Sequence, residues 1–110
     1  MLDKPEQTAR LIATLKAAVP FAVMPTPETI ADLARQQNPV LVKPTESVIA
    51  VSYLGNEGGI ICHIHHGDSN SMILVALTHV RVPRTLPFAA AVIDYQKHRV
   101  KKLRKQQRRS

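Results

Sequence analysis

Three segments rich in β-branched and other apolar residues restrict the fold more than any other part of the chain. They cover residues 47–54 (SVIAVSYL), 60–66 (IICHIHH) and 72–82 (MILVALTHVRV). Residues 56–59 (NEGG) and 67–71 (GDSNS) separate them, and both loops are composed of residues that favour tight turns. Strands joined by such short loops pair most simply with their neighbours along the chain. The sequence therefore predicts a three-stranded antiparallel β-meander.

The distribution of apolar residues over these strands predicts what covers the sheet. In the second strand the apolar Ile60, Cys62 and Ile64 share one face, while His63 and His65 lie on the other. The first and third strands are apolar on both faces over much of their length, which a sheet with one wet face does not require. We expect helices from both ends of the chain to pack on the sheet. The alternative is a homodimer in which a second copy covers one face.

Two helices are predicted before the sheet. The first has an apolar face at helical spacing, with Asp3 as its predicted N-cap and Pro20 as its end. The second begins with Thr26 as the cap and Pro27 in the first helical position, where a missing N–H costs nothing. We expect it to end near Gln37.

The predicted fold class is α+β, in the order α-α-β-β-β-α. Residues 21–24 (FAVM) are interpreted as a short apolar link, and residues 40–42 (VLV) fit either a short edge strand or a packed connector. We expect one globular domain over residues 1–96, which includes the start of a long C-terminal helix. Residues 97–110 are predicted to form a basic helical extension or tail.

The C-terminal helix is predicted from periodicity and helix propensity. Pro87 suits its first turn, and Ala89, Ile93, Val100 and Leu103 recur near the helical period. These four residues are the predicted apolar face, with Gln96 filling a gap in it. No glycine follows to end the helix, so we expect fraying towards Ser110.

Positive charge is concentrated at the end of this helix. The chain has 15 Lys and Arg against 8 Asp and Glu, for a net charge of +7. The excess lies entirely in residues 97–110, which contain no acidic residue, so the body of the chain is nearly neutral. Such asymmetry suggests an interaction surface that binds a polyanion. The predicted nucleic-acid-binding residues are Lys97, Arg99, Lys101, Lys102, Arg104, Lys105, Arg108 and Arg109.

Other properties limit the class of protein. Cys62 is the single cysteine, so one chain can form neither an internal disulfide nor a cysteine-based zinc site, and we expect it to be a small core residue. The first residues lack the pattern of a signal peptide, and no apolar run is long enough to span a membrane. A soluble cytoplasmic protein with no membrane association and no cofactor is expected.

Histidines provide the only metal-ligand pattern. His63 and His65 share a strand face within HIHHGD, and His79 lies on the next predicted strand, so a three-imidazole site is conceivable in some registers. The segment differs from the HxHxDH pattern of metallo-β-lactamase-like hydrolases, because Gly67 occupies the aspartate position. Partly exposed strand histidines beside a polar turn are the simpler explanation of this pattern.

The predicted helix–three strands–helix order resembles that of double-stranded-RNA-binding domains. That family places a lysine cluster at the start of its second helix, where this chain has LPFAAA (residues 86–91). Here the cations lie at the opposite end of the helix, so the resemblance is one of topology only.

These features favour a small non-enzymatic module that binds RNA or DNA through its basic C-terminal helix, mainly by phosphate contacts. Two alternatives remain open. One is a homo-oligomeric protein-interaction module that uses an apolar sheet face. The other is a small metal-dependent enzyme that uses His63, His65 and His79. Other interpretations of the basic end are a solvated amphipathic helix with a disordered end and no partner, and a helix that binds an acidic protein or a lipid surface.

Overall fold

A computed structural model describes residues 3–37, 39–65 and 72–108, without the side chains of residues 106–108. The helices in these ranges are α1 (Pro5–Ala18), α2 (Pro27–Ala34), the single-turn α3 (Gly55–Gly58) and α4 (Ala89–Arg108). The strands are β1 (Phe21–Pro25), β2 (Glu46–Tyr53), β3 (Ile60–His65), β4 (Met72–Ala76) and β5 (Val80–Arg81). A 3-10 helix, Leu77–His79, joins β4 to β5.

The five strands form one antiparallel sheet in the order β4-β3-β2-β1-β5. The two edge strands, β4 and β5, are separated by only three residues of chain. A connection this short can join opposite edges only if the sheet curls, so that the Ala76 end of β4 comes near the start of β5 at Val80. The predicted α+β class is confirmed, whereas the three-stranded sheet and the α-α-β-β-β-α order are wrong in detail. The resemblance to double-stranded-RNA-binding domains rested on that order, so it does not hold for the observed topology.

Two segments account for the difference. The predicted apolar link at residues 21–24 lies within β1, which pairs with β2 through Phe21 opposite Val48. The predicted third strand is interrupted after Ala76, because the chain must leave the β3 edge and cross to β1. The predicted turn at residues 67–71 lies outside the described residues.

The residues at 40–42 belong to no strand and act as a packed connector. The backbone N–H of Val40 donates to the carbonyl of Leu33 at 2.9 Å. Val40 and Val42 both pack against the core while Leu41 points away from it. The connector therefore fastens the end of α2 to the core, which was one of the two interpretations of this segment.

The hydrophobic core of the described residues lies between one face of the sheet and the helices α1 and α4. Ile60, Cys62 and Ile64 are completely buried in it, as the alternation of β3 predicts. The opposite face of the sheet leaves Ile49 and Leu74 exposed, so the expectation that helices cover both faces is wrong for that face. No helix in the described ranges combines the length and the apolar character needed to cross a bilayer.

Helix ends agree with local rules at α2 and depart from them at α1. The Thr26 hydroxyl accepts a hydrogen bond from the Thr29 N–H at 3.3 Å, which confirms the predicted cap, although α2 ends at Ala34. At α1 the N-cap position is Lys4, with no side-chain cap, so the predicted capping role of Asp3 is wrong. The Asp3 carboxylate instead forms a buried ion pair with Arg99 of α4.

Candidate nucleic-acid interface

The orientation of α4 is set by two polar side chains on its inner face. The side-chain amide of Gln96 donates to the carbonyls of Leu77 and Val80, both at 2.7 Å. At the preceding position, the Tyr95 hydroxyl accepts a hydrogen bond from the Ile60 N–H at 2.9 Å. These bonds tie α4 to the 3-10 helix, β5 and β3. They therefore prevent rotation of α4 about its axis.

Arg99 is the third anchor and is only 3% exposed. Its Nη1 donates to the two carboxylate oxygens of Asp3 at 2.9 and 3.1 Å, and its Nη2 donates to the Asn56 carbonyl at 2.9 Å. The Tyr53 hydroxyl donates to the same carboxylate at 2.7 Å. A buried charge is tolerated because it is paired and hydrogen-bonded. Arg99 is thus a structural residue, and the structure removes it from the predicted nucleic-acid-binding set.

The buried face of α4 differs from the predicted one. It contains Ala89, Val92, Tyr95 and Arg99, whereas Val100 is exposed and Ile93 is only half-buried. The helix is rotated from the predicted orientation because Gln96 and Arg99 find carbonyl and carboxylate partners inside. Hydrogen bonding to such partners removes most of the penalty for burying polar groups. Arg99 follows Val92 and Tyr95 at seven and four residues, and this spacing was the one local sign of its burial.

The same rotation presents a row of cations to solvent, here called the basic stripe: Lys97, Lys101, Arg104 and Lys105. At about 100° per residue, Lys97, Lys101 and Arg104 lie within about 60° of one another around the helix. The stripe extends about 12 Å along the axis at 1.5 Å per residue. Within the described ranges no acidic group lies at ion-pair distance from any of its members.

The other predicted cations are placed differently. Lys102 is half-buried on another side of the helix. Arg108 is the last residue of α4, but its side chain is outside the described part, and so is the whole of Arg109. A shallow hollow of about 600 Å³ lies among the side chains of the basic stripe and includes Gln96 and Val100 in its lining.

In the part of the chain that the structure describes, His63, His65 and His79 are not assembled into a metal site. The β3–β4 register places Leu74 opposite His63 and Met72 opposite His65, and His79 lies in the 3-10 helix beyond β4. The Nε2 of His63 is hydrogen-bonded to the Ser52 hydroxyl at 2.8 Å. Among the residues that the structure describes, no three His, Cys, Asp or Glu side chains come together as possible metal ligands. His66 and Asp68 of the HIHHGD segment lie outside those residues.

Cys62 is completely buried among apolar core residues. Its burial raises the pKa of the thiol to about 12, because the charged thiolate would be poorly solvated there. The thiol therefore stays protonated at neutral pH, and Cys62 is a core residue as the sequence predicts.

We expect the two tyrosines that adjoin the Asp3–Arg99 pair to ionise late in an alkaline titration. Burial, followed by the hydrogen bond to the Asp3 carboxylate, raises the pKa of Tyr53 to about 12, and burial also raises the pKa of Tyr95. The protonated phenols are favoured in the folded state. Their contribution to stability is complete below about pH 10, the ordinary tyrosine pKa, and is lost as the pH rises through the folded values.

Ultraviolet absorbance of tyrosinate measures this ionisation directly. The native protein should show little tyrosinate at about pH 10, where the urea-unfolded chain is half ionised. Equal titration curves for the folded and unfolded chains would show that neither phenol is held in the network.

Comparison of the chain with protein-family models, with curated proteins and with solved structures found no match. The chemistry of the surface is therefore argued from its own residues.

Proposed function

We propose that this protein binds nucleic acid through phosphate contacts made by the basic stripe of α4. One observation carries the proposal: α4 holds Lys97, Lys101, Arg104 and Lys105 on its solvent side, with no acidic partner in the described ranges. Lysine and arginine at such positions neutralise phosphates and release the counterions condensed on the nucleic acid. Arg104 adds a planar donor group that suits phosphate oxygens.

The way α4 is anchored supports a binding surface over a merely solvated helix. Tyr95, Gln96 and Arg99 hold the helix in one orientation, so the four cations keep a defined arrangement. A preorganised surface loses less entropy on binding than cations on a flexible tail. The nearly neutral body of the chain leaves this helix as the main source of positive potential.

The contacts available on this surface favour binding that is independent of sequence. The Gln96 amide, which could otherwise read a base edge, is already bonded to two backbone carbonyls. Tyr95, the aromatic residue of α4, is buried and cannot stack on a base. Phosphate contacts position a protein on nucleic acid but carry no sequence information directly. The proposal is therefore for a non-enzymatic backbone-binding module.

Salt dependence measures the number of phosphates that the basic stripe neutralises. With four contacts, log affinity should fall against log salt with a slope of about −3 to −4, nearer −4 for a duplex and nearer −3 for a single strand. Fluorescence anisotropy with RNA and DNA, each double- and single-stranded, gives the four slopes. No binding to any of them at low salt would end the proposal.

Charge reversal tests whether the basic stripe is the binding surface. The variant K97E/K101E/R104E should weaken binding by roughly a hundredfold or more at low salt and flatten the salt slope, because three contacts become repulsive. The matched control K16E/K43E/R84E changes exposed cations elsewhere in the chain and has the same net charge. We expect it to retain most of the affinity. Equal losses in the two variants would show diffuse attraction to net charge and contradict a defined interface.

A further inference from the structure

Strand β4 is an edge of the sheet without the usual protection. Within the described ranges it pairs only with β3, so its other side carries unpaired backbone N–H and C=O groups. Its sequence, MILVA, contains no charge and no proline, and its pairing with β3 is regular. Natural proteins normally protect an exposed edge with charges, prolines, bulges or a covering element. β4 therefore offers a ready template for pairing with another strand.

The solvent face of β4 is also apolar. Leu74 is 62% exposed and Met72 is 45% exposed, while the alternate residues Ile73 and Val75 are buried in the core. Leu74 lies beside His63 of β3, and His63 in turn lies opposite Ala50 of β2. This row across three strands contains no Asp, Glu, Lys or Arg. The exposed edge and the exposed apolar face thus adjoin at Leu74.

We propose that β4 pairs with β4 of a second copy of this chain, which extends the sheet across a two-fold axis. Antiparallel pairing of a strand with itself is self-complementary, as a two-fold interface requires. All five residues of the strand overlap only when Leu74 lies opposite the second copy's Leu74, so the register follows from the strand length. The two chains each carry a net charge of +7, and they meet where the surface is uncharged.

This interface is compatible with the proposed binding surface. The basic stripe belongs to α4, whose inner side packs on the core face of the sheet, whereas Leu74 and Met72 point away from that core. Pairing through β4 therefore leaves the stripe of each copy exposed. The dimer does not depend on nucleic-acid binding, and either proposal can fail without the other.

A charged substitution at the two-fold axis tests the interface. Sedimentation and light scattering should show a species of twice the 12.2 kDa chain mass for the natural sequence. Leu74→Lys should weaken its dimerisation by about tenfold or more, because like charges directly opposite each other repel. The control Leu41→Lys changes a residue that is 77% exposed and lies outside the sheet, and it should leave the dimer intact. Circular dichroism verifies that both variants are folded.

A cysteine at the same position tests the register. Residues opposite each other across an antiparallel pair have Cα atoms about 4.5–5.5 Å apart, which is within the span of a disulfide. Leu74→Cys should therefore form a disulfide-linked dimer under mild oxidation, whereas Leu41→Cys should not. Cys62 is fully buried and does not compete in the folded protein. A monomer at all concentrations, an unchanged dimer in Leu74→Lys, or equal cross-linking of the two cysteine variants would each overturn the proposal.

Discussion

Replacing Arg99 with methionine is expected to lower the free energy of unfolding by about 3–5 kcal/mol, the usual cost of removing one partner from a buried ion pair. The substitution leaves the Asp3 carboxylate charged, buried and without its cation, and the Asn56 carbonyl loses the Nη2 donor. Urea unfolding monitored by circular dichroism measures this change in the free energy of unfolding. The free energy of unfolding of a folded protein is typically only about 5–15 kcal/mol, so this substitution removes a large part of the stability.

Two further variants identify the cause of that loss. Arg104→Met removes an exposed arginine from the same helix and should change stability by less than about 0.5 kcal/mol. The double variant D3N/R99M removes both charges, and it should be more stable than Arg99→Met alone, because no uncompensated charge remains buried. If Arg99→Met were as stable as Arg104→Met, the buried ion pair would not stabilise the fold.

Replacing Gly59 with alanine is the second substitution with a large expected effect. Gly59 has a φ of +67°, and an added Cβ would overlap the Tyr95 hydroxyl and lie 2.8 Å from Cζ of Arg99. Strain in this backbone region costs about 1–3 kcal/mol, and displacing the hydroxyl disturbs its bond to the Ile60 N–H, worth about another 1 kcal/mol. We expect a total loss of about 3 kcal/mol, measured by the same urea unfolding.

Gly55 is a matched control at the other end of the same turn. Its φ of +63° is nearly the same, but no heavy atom lies within 4 Å of the position that a Cβ would take. Gly55→Ala should therefore show the backbone strain alone, about 1–2 kcal/mol. Gly59 also has a ψ of −146°, close to a region that only glycine adopts readily, so the larger loss at Gly59 combines this strain with the contact to Tyr95 and Arg99. Equal losses would show that the network moves aside without cost.

These residues connect three distant parts of the chain to the proposed binding surface. The Asp3–Arg99 pair joins positions 96 residues apart, and the turn at α3 contributes the Asn56 carbonyl. The orientation of α4 about its axis, and hence the exposure of Lys97 and Arg104, depends on these contacts. We therefore expect a substitution at Asp3 or Gly59 to weaken the proposed nucleic-acid binding although it leaves the cations unchanged.

The sequence by itself determined what depends on near neighbours along the chain. Alternation placed Ile60, Cys62 and Ile64 on the buried side of β3, and turn residues separated β2 from β3. The Thr26 cap and the helical pattern of the C-terminal segment were also local properties. The concentration of cations after residue 96 is visible in the sequence without any structure.

The tertiary structure alone decided which strands share the sheet and which cations reach solvent. Residues 21–25 became a strand because β2 and β5 pair on either side of them, and residues 72–82 divided because their ends pair at opposite edges. Arg99 became structural because Asp3 and the Asn56 carbonyl meet it inside the fold. Each outcome depends on partners far away in sequence. Helical or strand periodicity describes one segment at a time and carries no information about such partners.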